Sequence, residues 1–363
     1  MLDALIIGGG PAGATAALLL VRAGRSVAVL EKSAFPRRKV CGEYVAAPAA
    51  SFLRSHGLSL EPEIRRVALW AGERVIEARL PAPYASTLAR EDLDAKLLEC
   101  ATRAGAVVFQ PLKAVSLTRT PSGFICETPS MTLQAHTVVA AHGSWEPGRL
   151  PTQERRATPK PADLLAFKAH FRDAGLSSDT IALAPFPGGY GGVLVLGDGR
   201  ATYACCLRRD ALDALRRPGL TAGESVFRHA LHASAGLRDA FAGAKRDGAW
   251  LASGPLRAGV RAPYRDGIFA VGNAAGEVHP VVGQGIGLAI QSAQLLSTSI
   301  DAPLEYARRC RQLYARALWP SALIARLVPH ARKPWLLSFG ARLAATPGAD
   351  AGAFLHRLAQ RIG

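Results

Sequence analysis

The chain contains 363 residues, of which 49% are hydrophobic and 20% are charged, a balance typical of a globular protein with a sizeable core. Its formal net charge of +16 favours anionic partners such as nucleotide phosphates or an anionic membrane surface. The basic residues form no compact tract and match no recognition motif, which argues against nucleic-acid binding.

The cysteines and the apolar runs exclude further classes of protein. The 6 cysteines contain no CxxC pair and no ligand spacing, so neither a metal site nor a disulfide framework is expected. No apolar run reaches the length of a membrane-spanning helix. The N-terminal stretch has Asp3 where a signal peptide carries basic residues, and glycines interrupt its apolar run. These features predict a cytoplasmic protein.

The predicted elements begin with a βαβ unit, formed by a strand over 2–7, a helix over 11–24 and a strand over 26–31. A helix over 90–105 follows, and residues 151–162 read as a polar, proline-rich linker. A helix over 221–243 and a basic helical region from about residue 305 complete the helical part. The predicted later strands are 106–109, 112–118, 123–128, 131–140, 164–172, 181–185, 192–207 and 267–271.

The motif GGGPAG lies between the first strand and the first helix. Gly8 permits the tight turn, Gly10 lets the backbone approach a pyrophosphate, and Gly13 lets the helix pack closely on the strand. Glu31 ends the next strand, where a carboxylate accepts from a ribose hydroxyl. The motif predicts a dinucleotide site but does not distinguish FAD from NAD. A second glycine-rich turn, after the strand over 267–271, favours FAD.

Three segments carry a resemblance to a known family: GGGPAGATAALLLVRAGRSVAVLEK, FPRRKVCGEYV and GIFAVGNAAGEVHPVVGQGIGLAIQSA. They resemble the FAD-dependent aromatic hydroxylase superfamily, and most closely its geranylgeranyl reductase-like and flavin halogenase-like branches. The resemblance covers most of residues 1–300. It implies an α/β fold in which a Rossmann-like FAD domain with a parallel sheet is interleaved with an α+β substrate domain built on an antiparallel sheet.

The domain boundaries follow from this resemblance. The expected FAD domain is discontinuous, and the expected substrate domain is inserted into it, with a C-terminal helical segment at the end. The boundaries are 1–65, 88–150 and 255–305 for the FAD domain, 66–87 and 151–254 for the substrate domain, and 306–363 for the helical segment.

The resemblance also implies which residues bind FAD. They are Gly8, Gly10, Pro11, Ala12, Gly13, Glu31, Lys32, Arg38, Lys39, Cys41, Gly42, Arg90, Gly272, Asn273, Gly283, Gln284, Gly285, Ile286 and Gly287. Two positions depart from the family pattern, because Asn273 and His142 stand where an aspartate is usual. The backbone N–H groups of Gly283 to Gly287 are expected to stabilise negative charge on the reduced flavin.

Three side chains are candidates for catalysis, each with a structural alternative. Cys41 is either a thiol beside the flavin or an inert core residue, and Glu43 either faces the substrate or is a surface acid. His279 is either a proton donor or a loop histidine. Tyr190 and Pro280 are expected to contact substrate, although the Trp-x-Phe-Pro that usually follows the tyrosine in the reductase branch is replaced by GGVLVLGDG.

These patterns predict an FAD-dependent oxidoreductase that transfers hydride from reduced flavin to an unsaturated lipophilic or aromatic small molecule. One alternative is a monooxygenase that hydroxylates an aromatic ring with NAD(P)H and O2. An alternative of another class is a flavin-binding carrier without turnover. A halogenase is disfavoured, because neither the lysine nor the Trp-x-Trp-x-Ile-Pro segment of that branch is apparent. NAD(P)H is the expected transient reductant.

The C-terminal region mixes aromatic and basic residues, including Trp319, Trp335 and Arg342. It is either a membrane-surface element that gives access to an apolar substrate or a helical cap over the substrate cavity. Peripheral membrane contact and the oligomeric state therefore stay open.

Overall fold

The computed structural model describes residues 1–327 apart from 81, 83, 144–149 and 154–157, so the last part of the expected C-terminal segment, residues 328–363, lies outside the described residues. Eight helices occur in the described part. They are α1 (Pro11–Arg22), α2 (Ala47–Ser55), α3 (Arg90–Arg103), α4 (Arg209–Leu215), α5 (Ala222–Ala233), α6 (Ala235–Phe241), α7 (Gly285–Ser297) and α8 (Pro303–Leu327).

The strands of the same part of the chain form two large and two small sheets. They are β1 (Leu2–Ile7), β2 (Val27–Leu30), β3 (Tyr44–Val45), β4 (Glu63–Ile64), β5 (Arg66–Ala71), β6 (Arg74–Arg79), β7 (Ala85–Thr87), β8 (Val107–Phe109), β9 (Ser116–Thr120), β10 (Gly123–Glu127), β11 (Thr132–Ala140), β12 (Leu164–Arg172), β13 (Thr180–Phe186), β14 (Gly189–Val195), β15 (Ala201–Arg208), β16 (Lys245–Leu256), β17 (Gly259–Val260), β18 (Tyr264–Arg265), β19 (Ile268–Ala270) and β20 (Gly276–Glu277).

The first large sheet has the strand order β18-β19-β11-β1-β2-β8, and its members from β19 to β8 run parallel. Parallel strands are covered on both faces, which explains why β1 and β2 are continuous apolar runs. α1, α3 and α7 pack together on one face and form one core with the strands. The turns after β1 and β19 therefore lie at the carboxyl ends of parallel strands, where such sheets bind ligands.

The second large sheet has the order β16-β12-β15-β14-β13-β5-β6 and is antiparallel except for the β13–β5 pair. One face carries Phe171 and Tyr203, which pack against Phe227 of α5 and Phe241 of α6. The opposite face carries the alternate residues of the same strands and lines a cavity. The predicted mixed α/β architecture is confirmed, while the exact domain boundaries stay a prediction.

Some predicted elements were wrong in detail. The region 192–207 forms two strands, β14 and β15, because Gly197 to Gly199 make a turn between them. The predicted helix over 221–243 is two helices, since the Ser234 hydroxyl caps α6 by accepting from Leu237 N at 3.3 Å. The strand predicted over 112–118 lies further along the chain, as β9.

α8 closes the described part of the chain against the β19–α7 turn. Its buried Tyr306 hydroxyl donates to Ala270 O at 2.5 Å, and its buried Tyr314 hydroxyl donates to Gly272 O at 2.7 Å. The Tyr314 ring also fills the space beside Gly276, where a Cβ would lie 2.7 Å from it. Among the described helices, none is both long enough and apolar enough to cross a bilayer.

Candidate active site

A continuous cavity of about 1000 Å³ lies between the two large sheets. It begins at Gly8 and Glu31, at the carboxyl ends of β1 and β2, and passes along the segment Arg37–Glu43. It ends over β12 to β15 of the second sheet, beside Tyr190. This volume is at the upper end of the range for small-molecule sites, so the cavity has room for a large cofactor and a second molecule.

The β1–α1 turn is shaped by two glycines. Gly8 has a φ of +112°, a backbone angle that residues with a side chain rarely adopt. A Cβ at Gly13 would lie 1.9 Å from Gly8 O, so only glycine lets α1 begin this close to the strand. The first turn of α1 leaves backbone N–H groups unpaired at the cavity, which favours a phosphate there.

Glu31 lies beneath this turn and is buried. Its Oε2 accepts from Gly9 N at 2.9 Å and its Oε1 accepts from Ser33 N at 3.0 Å. These two backbone donors fix the carboxylate at the cavity wall, and each oxygen keeps a lone pair for a further donor. The position fits the ribose-binding role that the resemblance implies.

The basic residues of the next segment are mostly paired within the protein. Arg38 donates to Glu91 at 3.2 Å and to Asp247 O at 2.6 Å. Lys39 lies 2.9 Å from the buried Asp94, which also accepts two hydrogen bonds from Arg90 at 2.8 and 2.9 Å. These pairs hold the segment against α3, so Arg38, Lys39 and Arg90 shape the wall of the site as well as facing the cavity.

Arg37 differs from its neighbours. It lines the cavity, and its buried Nε has no hydrogen-bond partner among the described residues. A buried guanidinium N–H without a partner is costly, and an anionic group of a bound molecule would satisfy it. Sequence reasoning did not select this residue.

Glu43 is the centre of a buried ionic cluster. Its carboxylate lies 2.5 Å from Lys168 Nζ and 2.8 Å from His170 Nε2, and it also accepts from Thr202 Oγ1 and from Arg90 N. Glu43 and Lys168 side chains are each 1% exposed. The carboxylate therefore joins the segment Arg37–Glu43 to the second sheet, and its oxygens are directed at protein donors rather than into the cavity.

His170 supports the same arrangement. Its Nδ1 lies 3.4 Å from Arg200 Nη1, a group that can only donate. Nδ1 is therefore the acceptor, and Nε2 carries the hydrogen that is donated to Glu43. Burial alone would raise the pKa of Glu43, but the hydrogen bond from His170 and the charge of Lys168 outweigh it and lower the pKa from 4.5 to about 2.

The free energy of unfolding is expected to fall as the pH is lowered below 4.5. Because the folded-state pKa of Glu43 is about 2, its contribution is present above pH 4.5 and is lost as the pH falls through about 2. The shift corresponds to roughly 3 kcal/mol. Urea unfolding of the wild type and Glu43→Gln between pH 5 and pH 2 measures this, and the gap between the two should narrow. A constant gap would contradict the assignment.

The β19–α7 turn forms the other wall of the cavity. Gly272 has a φ of +60° and donates through its N–H to Ser292 Oγ at 2.9 Å. Gly283 has a φ of +63°, and a Cβ there would lie 2.7 Å from the Tyr44 ring. A Cβ at Gly285 would meet no atom within 4 Å, so the first turn of α7 presents backbone to the cavity. Its N-terminus favours negative charge on a neighbouring group.

Asn273, which replaces the usual aspartate, is held by a carboxylate four positions later. Asn273 Nδ2 donates to Glu277 Oε1 at 3.3 Å, and Arg261 Nη1 donates to Asn273 O at 3.0 Å. Glu277 also accepts from Arg257 N at 3.3 Å. Both Asn273 and Glu277 line the cavity, and the Glu277 carboxylate is also paired with Arg261, whose Nη2 lies 3.5 Å away.

Tyr190 and His279 lie together at the far end. The Tyr190 hydroxyl is 3.5 Å from His279 Nδ1, and the rings are 5.6 Å apart. Tyr190 lines the cavity, whereas His279 stands behind it and accepts from Val281 N at 3.4 Å through Nδ1. Burial lowers the pKa of His279 to about 4, so the imidazole is neutral near pH 7.

The second sheet presents a flat, uncharged surface beside Tyr190. Alternation along each strand brings its members to one face, where Ala166 pairs with Cys206 and Gly192 pairs with Ala204. We call this surface the floor, and it consists of Ala166, Gly192, Ala204 and Cys206.

Most of the residues predicted for the site line this one cavity. The exceptions are Gly13, Gln284, Gly287 and His279, which stand behind its wall. Sequence reasoning missed Lys168 and His170, although they alternate in the apolar strand LLAFKAHFR and so mark one face as special. It also missed Arg37 and the floor. The two ring nitrogens of His142 each lie 2.9 Å from a carbonyl oxygen acceptor, Nδ1 from Gly143 O and Nε2 from Thr152 O, which holds His142 in a loop.

These features fit FAD. The glycine turn and the helix N-terminus suit a pyrophosphate, Arg37 offers an unpaired donor, and the α7 N-terminus suits the electron-rich edge of a flavin ring. The residues that would hold it are those of the β1–α1 turn, Glu31, the segment Arg37–Glu43 and the β19–α7 turn. A flavin supplies hydride or electron transfer once bound.

The fold and the site together define an FAD-dependent oxidoreductase. The FAD binding domain family matches residues 1–311, so the chain belongs to this family. It is 30% identical to a menaquinone reductase of Mycobacterium tuberculosis over 89% of this chain and 80% of the relative. It is 28% identical to digeranylgeranylglycerophospholipid reductase 2 of Methanothermobacter thermautotrophicus, over 84% of this chain and 79% of the relative.

Solved structures show the same fold. The halogenase PltM superposes with a TM-score of 0.78 at 16% identity, over 99% of this chain and 83% of the other. At this level of identity the likeness concerns the fold alone. The expected enzyme class and the FAD cofactor are confirmed.

Proposed function

We propose that the protein is a reductase that adds a hydride and a proton across a double bond of a lipophilic small molecule. FAD carries the hydride and NAD(P)H supplies the electrons. The observation that carries the proposal is the floor, which offers no charged group where substrate meets the cofactor cavity. The charged groups beside it are paired within the protein: Lys168 with Glu43, and Glu277, whose charge reaches Cys206, with Arg261. An apolar molecule can therefore be desolvated there without leaving a charge unpaired.

The two reductase relatives support this function, because both names describe reduction of a lipophilic compound. When bound, reduced FAD supplies the hydride. The chain contributes the α7 N-terminus, where Gly283 and Gly285 line the cavity and favour negative charge at that edge.

Tyr190 is the proposed proton donor. Its cross-strand partner is the floor residue Cys206, and burial raises the pKa of Tyr190 well above the usual value of 10. Its hydroxyl therefore keeps its proton at neutral pH. The neutral His279 ring, whose Nδ1 lies 3.5 Å from this hydroxyl, can accept its hydrogen bond but does not remove its proton.

Anaerobic photoreduction tests the function. We expect geranylgeraniol, an uncharged alkene without a quinone ring, to restore the oxidised flavin spectrum in the absence of oxygen. The product should gain two hydrogens and should survive later exposure to air. The opposite result would be a reduced flavin that neither geranylgeraniol nor the side chain of menaquinone reoxidises. If the protein then forms an oxygenated aromatic product with NAD(P)H and O2, the monooxygenase alternative is established instead.

The matched variants are Tyr190→Phe and Tyr203→Phe. Loss of a general acid slows a reaction by about 10²-fold or more, so Tyr190→Phe should slow reoxidation by the alkene to that extent. Tyr203 lies on the opposite face of the same sheet, and its hydroxyl has no hydrogen-bond partner among the described residues. Tyr203→Phe should therefore leave the rate unchanged.

Peripheral contact with a membrane is a further part of this proposal. Leu304 and Trp319 are exposed on α8, 79% and 55% respectively, and Arg311 and Arg316 are exposed on the same helix. Exposed apolar and basic side chains together are typical of helices that lie on anionic membranes. This arrangement supports access to a substrate held in a lipid phase.

A further inference from the structure

Strand β14 contains three glycines near the cavity, and two of them are required by packing. A Cβ at Gly189 would lie 2.2 Å from Cys206 O, and a Cβ at Gly191 would lie 2.7 Å from the Tyr203 ring. Neither position can carry a side chain without displacing the sheet or its aromatic core. These two glycines are explained by the fold alone.

Gly192 is different. It does not adopt a positive φ, and a Cβ there would have Ala182 O at 3.7 Å, Leu183 Cδ2 at 3.8 Å and Ala204 O at 4.0 Å as its nearest neighbours. These are ordinary van der Waals distances, so the protein itself has room for a side chain. A glycine inside a strand is destabilising relative to alanine. Glycine inside a strand often marks a bulge, a tight bend or a close approach by a ligand, and the regular pairing of β14 with β13 and β15 argues against a bulge at Gly192.

The surroundings of Gly192 are consistent with such a ligand. The floor spans the adjacent strands β12, β15 and β14, which corresponds to a width of about 10 Å at the usual strand spacing. Its other members, Ala166, Ala204 and Cys206, are also small and line the cavity. The result is a broad, flat and shallow apolar surface rather than a narrow channel.

We propose that Gly192 is a specificity-determining residue that admits a flat fused-ring group of the substrate onto the floor. The inference rests on the proposed function, because it specifies which part of a lipophilic substrate this site accepts. A side chain at position 192 would project into the cavity from the β14 edge of the floor, beside Ala204, and would lift a ring away from it. A single extended hydrocarbon chain could still pass to one side.

Binding to the oxidised holoenzyme tests this without any turnover. The probes are menadione, a flat naphthoquinone, and dodecanol, a thin unbranched chain, each titrated against the flavin absorbance spectrum. Along the series Gly192→Ala, Gly192→Val and Gly192→Leu, the dissociation constant for menadione should rise progressively. It should reach at least about tenfold for leucine, since added methyl groups in a fitted apolar site have effects of this size. The dissociation constant for dodecanol should change less than about twofold.

Gly175→Ala is the matched control. A Cβ at Gly175 would have its nearest neighbour at 3.8 Å, and Gly175 does not line the cavity. It should leave both affinities unchanged. Flavin content and the thermal midpoint identify any variant that fails to fold, and Gly192→Ala then still provides the test because its Cβ has room.

Equal affinity for menadione across the folded variants would overturn the inference, as would an equal loss for both probes. Because no hydride transfer is involved, this result is independent of the alkene experiment. If the alkene reoxidises the flavin but all variants bind menadione equally, the proposed reductase function stands and only the proposed role of Gly192 fails.

Discussion

Gly13→Ala is expected to abolish stable FAD binding and to lower the thermal midpoint of the apoprotein. The added Cβ would lie 1.9 Å from Gly8 O and 3.0 Å from Ala141 Cβ, so the start of α1 must move away from the sheet. The N–H groups of the helix would then no longer converge on the position of the pyrophosphate. We expect the dissociation constant for FAD to rise on the order of 100-fold or more, measured by fluorescence quenching of added FAD.

Gly10→Ala distinguishes a loss of FAD binding from a loss of folding. Its Cβ would approach only Lys39 Nζ, at 3.8 Å, and would point into the cavity that Gly10 lines. This variant should fold like the wild type and yet bind FAD weakly. Wild-type FAD affinity in a folded Gly13→Ala protein would show that the β1–α1 turn does not hold the cofactor.

Lys168→Met should destabilise the protein by about 3–5 kcal/mol. The substitution leaves the Glu43 carboxylate, 1% exposed, without the ammonium group that lies 2.5 Å away. It also removes the donor to Lys39 O at 3.2 Å, so the wall segment Arg37–Glu43 loses its anchor to β12. Urea unfolding measures the stability, and a shift in the visible flavin spectrum of the holoenzyme reports the displaced wall.

Two further variants give this prediction its controls. The double variant Lys168→Met with Glu43→Gln removes both charges and should recover much of the loss, since the unpaired buried charge is its main cause. Arg103→Met breaks an exposed pair with Glu99, at 65% and 60% exposure, and should change stability by no more than about 1 kcal/mol. If Lys168→Met lowered the free energy of unfolding by as little as Arg103→Met does, the stabilising role of the Glu43 cluster would be contradicted.

The conformation of the β1–α1 turn, which is proposed to bind the nucleotide, could be predicted from the sequence because it depends on local rules. The spacing of Gly8, Gly10 and Gly13 between an apolar strand and a helix fixes a turn whose shape is nearly independent of the rest of the chain. The same motif predicts an acidic residue at the end of the next strand, which is Glu31. The second glycine-rich turn, before α7, is predictable for the same reason.

The second sheet could be predicted only in part, because its residues meet through long-range pairing. Lys168, His170 and Thr202 contact Glu43 although they lie 125, 127 and 159 residues away from it in the sequence. No local pattern specifies such a register. The strand β16 begins with the polar residues Lys245, Arg246 and Asp247, so it does not carry the apolar alternation by which strands are recognised.

The hydroxyls of Tyr306 and Tyr314, which bond the carbonyls of Ala270 and Gly272, bear on the order of events during synthesis. The β1–α1 turn leaves the ribosome first, and domains begin to fold as they emerge. The opposite wall of the cavity gains its supporting helix only after Tyr314 has been translated. We therefore expect the cavity to acquire both of its walls, and FAD to bind stably, only after nearly all of the described protein has been synthesised.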